Sequence, residues 1–197
     1  TWCLDSLLGE WSVIGKGNYK NGEYDGYWVE YYNNGQLMRK GNFKNGEEEG
    51  DWVYYYEDGE LRGKGKFKNG GLEDAWEHYY ENGQLEFRLN FVNNKRNGTS
   101  VSYHKNGQLS EKGENKNDKR EDAWVFYWDN GQVSSKGNFK NGEYEGYWVF
   151  YYESGQLQSK GTFKNGEKVG AWVGYYTNGI VSEVWTGTYT DGVKISD

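Results

Sequence analysis

Residues 26–50 read GYWVEYYNNGQLMRKGNFKNGEEEG, in which two runs of strand-forming residues each end near an Asn-Gly pair. Aromatic and β-branched residues favour strands, and Asn-Gly readily takes the positive φ angles of a type I′ hairpin turn. We therefore predict two-residue turns at Asn34-Gly35 and at Asn45-Gly46, joined by antiparallel strands. The acidic segment 47–50 is predicted to be a longer connection.

The same pattern recurs with a period of 24 residues. A fixed period of this length is the signature of a repeat protein. The tryptophan column is Trp28, Trp52, Trp76, Trp124, Trp148 and Trp172, with Ser100 in the remaining slot. We predict an all-β repeat protein, an elongated, twisted, single-layer antiparallel β-meander of tandem hairpins. About 15 strands spaced about 4.8 Å apart would extend over roughly 70 Å.

The two ends of the chain depart from the repeat. Residues 1–12 do not match it and are predicted to cap the first strand, whereas residues 13–22 match the second half of a unit. Near the other end, the segment from Thr186 to Tyr189 matches only after a shift of two residues. We therefore divide the chain into a cap, 1–12, and a single array, 13–197, with about seven units.

The turn at Asn34-Gly35 predicts the register of the first hairpin. The expected cross-strand pairs are Trp28 with Gly41, Glu30 with Arg39, and Tyr32 with Leu37. An indole opposite a glycine covers the gap that the missing side chain leaves. Each tryptophan is therefore expected to be structural, and the unit that carries Ser100, His104 and Asn115 is expected to be the least stable.

Composition excludes several classes of protein. The net charge of −7 disfavours nucleic acid as a partner, because contacts to phosphate need cationic side chains. Cys3 is the single cysteine, so the chain has no internal disulfide framework. No apolar run is long enough to span a membrane. Thr1 is not an initiator residue, which leaves a cleaved or omitted upstream segment, and both cytoplasmic and exported locations, open. Thr1-Trp2 does not resemble the lipobox of a lipidated cysteine.

No catalytic, cofactor or metal site is predicted. His78 and His104 occupy repeat slots and have no metal ligands at a recognisable spacing. The acidic clusters 47–49 and 73–74 lack the order of a calcium loop, and we interpret them as solvated loop charge. No nucleophile elbow, phosphate loop or dinucleotide motif is present. We expect a binding protein rather than an enzyme.

One variable slot on the tryptophan face is the first candidate binding surface. Repeats of one fold that bind a specific partner should differ where the partner touches. The candidate contacts in this slot are Tyr54, His78, Phe126 and Phe150. Aromatic anchors usually dominate the energy of an interface. The alternative is that the two phenylalanines only complete the packing of the sheet against Ser135 and Ser159.

A basic column on the opposite face is the second candidate surface. Its members are Lys16, Lys40, Lys64, Arg88, Lys112, Lys136 and Lys160, next to a column of tyrosines. One interpretation is that the aliphatic stems cover the tyrosine rings while the charged ends stay in water. The other is a rail of charge for an anionic ligand, such as a phospholipid headgroup.

The sequence GYWVxYYxxGQL at residues 26–37 and 146–157 resembles the MORN repeat, and specifically its bacterial variant. The resemblance covers residues 13 to about 192 and implies an elongated, twisted sheet that serves as a scaffold without catalytic residues. Proteins of this type are often components of toxin–antitoxin or immunity pairs, which makes a toxin one candidate partner. The alternatives are binding to glycan or cell-wall material through the aromatic residues, and binding to phospholipid headgroups.

Overall fold

The structure, a computed structural model, describes residues 2–4 and 14–196, and this part of the chain contains strands and turns but no helix. It therefore contains no helix that could cross a membrane. Contacts between residues divide the chain into two compact units, residues 1–95 and 96–197. Within each unit every strand pairs antiparallel with the next strand along the chain. The predicted all-β meander of tandem hairpins is confirmed.

Away from the two ends of the chain, strands of nine and eight residues alternate. The first unit contains β1 (Trp2–Leu4), β2 (Ile14–Lys20), β3 (Glu23–Tyr31), β4 (Leu37–Lys44), β5 (Glu47–Tyr55), β6 (Leu61–Lys68), β7 (Gly71–Tyr79) and β8 (Leu85–Val92). The strand β9 (Lys95–Tyr103) begins at the boundary. The second unit continues with β10 (Leu109–Lys116), β11 (Lys119–Tyr127), β12 (Val133–Lys140), β13 (Glu143–Tyr151), β14 (Leu157–Lys164), β15 (Glu167–Gly174), β16 (Gly187–Thr190) and β17 (Val193–Ser196).

The two Asn-Gly pairs form different turns. Asn45 and Gly46 both have positive φ, 52° and 81°, and Lys44 pairs with Glu47, as the two-residue type I′ turn requires. At the other pair only Gly35 has a positive φ, 84°, and its N–H donates to the carbonyl of Tyr32 at 2.9 Å. This is a longer turn closed by a glycine bulge, so the predicted two-residue turn at Asn34-Gly35 is wrong.

The physical reason lies in the Asn34 side chain. Its Oδ1 accepts a hydrogen bond from the N–H of Gln36 at 2.9 Å, a local contact that supports the longer turn. The extra residue changes the register only next to the turn, where Leu37 pairs with Tyr31 instead of Tyr32. The other predicted cross-strand pairs, Trp28 with Gly41 and Glu30 with Arg39, are present.

The acidic segment 47–50 belongs to β5, so the prediction of a longer connection is also wrong. Lys40 pairs with Val53 and Asn42 with Glu49, so three residues of β5 face one residue of β4. This bulge is possible because Gly50 has a φ of 74°. The residue at the position of Gly50 has a positive φ in every repeat: Gly26, Gly50, Asp74, Gly98, Asp122, Gly146 and Gly170.

The core of each unit is a line of alternating tryptophan and phenylalanine rings on one face. In the first unit the centroid of the Phe43 ring lies 6.1 Å from that of Trp28 and 4.9 Å from that of Trp52, with edge-to-face geometry. In the second unit Phe139 lies in the same way between Trp124 and Trp148. Such contacts hold successive hairpins together, because each phenylalanine touches the tryptophans of two repeats.

Each tryptophan of the column covers a glycine of the preceding repeat rather than the residue that it faces within its own hairpin. A Cβ built on Gly41 would lie 2.2 Å from the Trp52 ring, although Gly41 pairs with Trp28. The Trp52 Nε1 donates to the carbonyl of Asn42 at 3.1 Å, next to the bulge. The expectation that Trp28 covers Gly41 is therefore wrong, because the ring reaches back across the strand boundary.

The repeat without tryptophan has a buried polar pair in its place. Ser100 and Asn115 occupy the tryptophan and phenylalanine slots, are 3% and 5% exposed, and are joined by a hydrogen bond from the Asn115 Nδ2 to the Ser100 Oγ. In the sequence, the glycine slot that precedes Ser100 by 11 residues holds Leu89. The large Leu89 thus replaces the usual glycine, and the small Ser100 replaces the tryptophan that would otherwise cover that glycine.

The ends follow the array closely where the structure describes them. Strand β1 pairs with β2, and residues 5–13, which include most of the predicted cap, lie outside the described residues. At the other end Trp172 pairs with Gly187, which confirms the predicted shift of two residues. Tyr189 takes the place of the phenylalanine beside Trp172, with ring centroids 6.4 Å apart.

Candidate binding surfaces

The two histidines have structural surroundings. His104 Nε2 lies 3.0 Å from the carbonyl oxygen of Tyr127, where other repeats place a tyrosine hydroxyl. His78 Nδ1 lies 2.7 Å from the carboxylate of Glu86, and its ring stacks on Phe87 at 5.1 Å. Among the residues that the structure describes, no group of three or more His, Cys, Asp or Glu side chains could hold a metal ion.

In the second unit, the structure places Phe126 and Phe150 on either side of one small residue. Both pair with Ser135, one from each neighbouring strand. Phe126 stacks on Trp124 with ring centroids 5.9 Å apart, and Phe150 stacks on Trp148 at 5.8 Å. The two rings remain half-buried on a floor of buried tryptophans, so they both pack against the sheet and present a face to solvent.

In the first unit, Tyr54 and His78 are arranged in the same way around Gly63. Gly63 pairs with Tyr54 in the strand on one side and with His78 in the strand on the other side. A groove of about 490 Å³ lies between them, with Gly63 in its lining. Its lining residues are Tyr54, Arg62, Gly63, Phe67, Leu72, Trp76, His78 and Asn94.

An ion-pair cluster borders the Tyr54 side of this groove. The Arg39 guanidinium donates to Glu30 at 2.8 Å and to Glu48 at 2.9 Å, and the hydrogen bond to Glu30 raises the pKa of Arg39 above its usual value. The Tyr54 hydroxyl lies 3.4 Å from Glu48. Burial and the nearby Glu48 carboxylate raise the pKa of Tyr54 to about 12.

One residue of each acidic cluster is part of the fold rather than solvated charge. Glu49 accepts a hydrogen bond from the N–H of Asn69 at 2.9 Å, and Glu73 accepts one from Asn93 at 2.8 Å. Each carboxylate therefore satisfies a backbone donor in the type I′ turn of the next repeat. The interpretation as solvated loop charge is wrong for these residues, since the bulge brings them beside the turn.

The basic column lies beside the tyrosine column, as the sequence suggests. Lys40 Nζ is 5.7 Å from the centre of the Tyr55 ring, and Lys64 Nζ is 6.0 Å from that of Tyr79. Lys64 and Arg88 are also paired with Glu77, at 3.1 and 3.7 Å. Three other members, Lys112, Lys136 and Lys160, form no ion pair with a carboxylate between residues 15 and 196. Part of the charge of the column is therefore paired and part is not.

Sequence reasoning missed the residues that complete the groove of the first unit. Arg62, Leu72 and Asn94 lie in other slots of the repeat and meet at the groove only through strand pairing. Gly63 was the available signal, because its slot holds a side chain in the other full repeats. A glycine opposite Tyr54 is equally typical of a small residue that accommodates a large cross-strand partner, so the sequence alone does not predict a groove at Gly63.

Comparison with known proteins supports the repeat. The model of the MORN repeat variant matches residues 24–45, 48–69, 75–93, 96–117, 123–141 and 144–165. Comparison with curated proteins gave no match. The six matched segments cover more than half of the chain, and their spacing agrees with the hairpins of the structure. The chain therefore belongs to the MORN repeat variant family.

Proposed function

We propose that this chain is a non-catalytic scaffold that binds another protein through the half-exposed rings of Phe126 and Phe150. MORN repeats are generally non-catalytic modules that often bind proteins or membranes. The observation that carries the proposal is the placement of both rings around Ser135 on a floor of buried tryptophans. Rigid aromatic side chains lose little freedom on binding, which makes them effective anchors.

The test begins with capture of the partner on the folded chain and continues with calorimetry on the purified partner. The double variant Phe126→Ser with Phe150→Ser should bind about 30-fold more weakly or worse, the loss expected when an aromatic hot spot is removed. Tyr147→Ser is the matched control, because it removes a ring that is 55% exposed next to Trp148 but on the other face. A folded double variant with unchanged affinity would refute the proposal.

The finer form of the proposal is an antitoxin or immunity role, with a toxin as the partner. It is supported by the resemblance to bacterial variant MORN repeats. Co-expression with the product of a neighbouring toxin gene is the direct experiment. The chain should relieve the growth inhibition that the toxin causes, and the double phenylalanine variant should not.

Binding to anionic lipid is the second candidate, and the unpaired lysines Lys112, Lys136 and Lys160 favour it. Sedimentation with vesicles that contain phosphatidylserine tests it. Cosedimentation that disappears when the three lysines are changed to glutamine would support a membrane role, since each cation near an anionic surface adds to the attraction. Absence of cosedimentation at low salt would exclude it.

A further inference from the structure

The groove around Gly63 has the features of a site for a small organic ligand. Its volume of about 490 Å³ lies within the range of roughly 300–1,000 Å³ that is usual for such sites. Its walls are the rings of Tyr54, Phe67 and Trp76, with Leu72 beside them. Phe67 and Trp76 meet edge to face at 5.5 Å, and Tyr54 lies 5.6 Å from Trp76, so the walls are held by the core itself.

The repeats on either side of it show why the groove is open. In the preceding repeat the Gly63 slot holds Arg39, whose guanidinium lies 5.2 Å from the Trp52 ring and is paired with two carboxylates. In the following repeat the slot holds Phe87, which stacks on His78. Gly63 leaves this place without a side chain, and Trp76 is only partly buried whereas Trp52 is fully buried.

Few polar groups reach the groove, and none of them is a carboxylate. Arg62 forms no ion pair with a carboxylate among residues 15–196. The Nδ1 of His78 is hydrogen-bonded to Glu86, so the opposite edge of the imidazole ring borders the groove. On that edge, Cδ2 would lie 3.5 Å from a Cβ atom built on Gly63. Asn94 uses its Oδ1 to accept the N–H of Leu72.

We propose that this groove binds a small planar aromatic acid, with the ring against Tyr54 and Trp76 and the anionic group on Arg62. Aromatic walls favour a planar ring through stacking and edge contacts. A guanidinium recognises a carboxylate through paired hydrogen bonds. The absence of acidic side chains from the lining disfavours a cation. The site lies within the first unit and is independent of the interface proposed for Phe126 and Phe150 in the second.

The experiment uses 2-naphthoate as the probe and its uncharged amide, 2-naphthamide, as the matched ligand. Binding to the full chain is followed by nuclear magnetic resonance of the indole N–H signals. We expect saturable binding of 2-naphthoate with a shift of the Trp76 signal. The Arg62→Gln variant should bind 2-naphthoate about tenfold more weakly, because a charge-assisted contact is lost, while its binding of the amide should not change.

Filling the groove is the second arm. Gly63→Phe places in this slot the residue that the next repeat has there, and it should abolish binding of 2-naphthoate. Ser135→Phe makes the equivalent change in the second unit and should leave binding unchanged. The Arg62→Gln result does not depend on this variant, so it remains decisive if Gly63→Phe does not fold.

Four results with these ligands and variants would overturn the proposal. They are no saturable binding of 2-naphthoate at millimolar concentration, equal affinity of the acid and the amide for the parent chain, unchanged binding of 2-naphthoate to a folded Arg62→Gln variant, and unchanged binding to a folded Gly63→Phe variant. A blocked peptide with one central tryptophan provides the last comparison. If it occupies the same groove more tightly than 2-naphthoate, the groove accepts a side chain of a partner protein, and the small-molecule proposal is wrong.

Discussion

At the scale of single residues, the tryptophans have two structural functions that depend on each other. The ring covers the glycine of the preceding repeat, and in Trp52, Trp124, Trp148 and Trp172 the indole N–H donates to a backbone carbonyl beside the bulge. A bulge interrupts the ladder of backbone hydrogen bonds, and an unsatisfied carbonyl in the interior would be destabilising. The indole therefore fills space and satisfies an acceptor at the point where the strand pairing is weakest.

Removal of one such ring should be strongly destabilising. Trp148 is fully buried and donates to the carbonyl of Asn138 at 2.9 Å. We expect Trp148→Ala to lower the free energy of unfolding by about 3–5 kcal/mol, as for other large core truncations. Chemical denaturation measures this change. Trp185, which is 40% exposed, is the control, and equal effects of the two alanine substitutions would contradict the assignment of Trp148 to the core.

The raised pKa of Tyr54 predicts a dependence of stability on alkaline pH. Burial and the Glu48 carboxylate favour the neutral phenol in the folded chain, with a pKa of about 12 against 10.0 for an unperturbed tyrosine. The resulting stabilisation is complete below pH 10 and is lost as the pH rises towards 12. The difference in unfolding free energy between the parent and Tyr54→Phe should therefore decline across this range. An unchanged difference would show that Tyr54 titrates normally.

At the scale of the element, each hairpin is defined by three backbone devices that recur with the period. These are the turn with its glycine bulge near Gly35, the type I′ turn at Asn45-Gly46 and the β-bulge at Gly50. The bulge brings Glu49 beside the next type I′ turn, where its carboxylate accepts the N–H of Asn69. Neighbouring hairpins are thus linked by side chain to backbone hydrogen bonds as well as by the ladder of the sheet.

The bulge slot provides a test of these devices. Asp122 has a φ of 56°, a conformation that glycine adopts freely and β-branched residues avoid. Asp122→Gly should be close to neutral, whereas Asp122→Val should destabilise the chain by about 1–3 kcal/mol through backbone strain. Thermal unfolding compares the two variants, with Ala123→Val as the control in the adjacent slot. If Asp122→Val and Asp122→Gly have the same stability, the bulge relaxes to accept a β-branched residue.

At the scale of the whole molecule, the aromatic line is present in each unit but does not run through every repeat. In the first unit it includes Trp28, Phe43 and Trp52, and in the second it includes Trp124, Phe139 and Trp148. The repeat with Ser100 and Asn115 contributes a polar pair instead of rings. In a stacked array, a repeat with weaker contacts to its neighbours lowers stability locally.

Hydrogen exchange should detect this difference within the second unit. Backbone amides of residues 96–116 should exchange faster than those of residues 144–165, because the first segment lacks the aromatic contacts of the second. Exchange of the native protein, followed by mass spectrometry of peptides, makes the comparison in one sample. Equal protection of the two segments would show that the Ser100–Asn115 pair stabilises its repeat as well as the rings do.

The sequence by itself determined the period, the hairpins and the face that carries the tryptophan column. These features follow from local chemistry, since strand-forming residues with a period of two and Asn-Gly pairs act within a few residues of one another. The cross-strand pairs within a hairpin, Trp28 with Gly41, Glu30 with Arg39 and Phe126 with Ser135, could be derived from this alternation.

Only the tertiary structure decided which tryptophan covers which glycine, where the bulges lie, and that Gly63 opens a groove beside Arg62 and His78. Alternation assigns a residue to a face, but it does not say how far a large ring reaches across the neighbouring strand. The bulge at Gly50 adds residues on one side of the ladder only, which shifts every later contact on that strand. Contacts between repeats therefore depend on the geometry of two strands at once, and that geometry is set by packing.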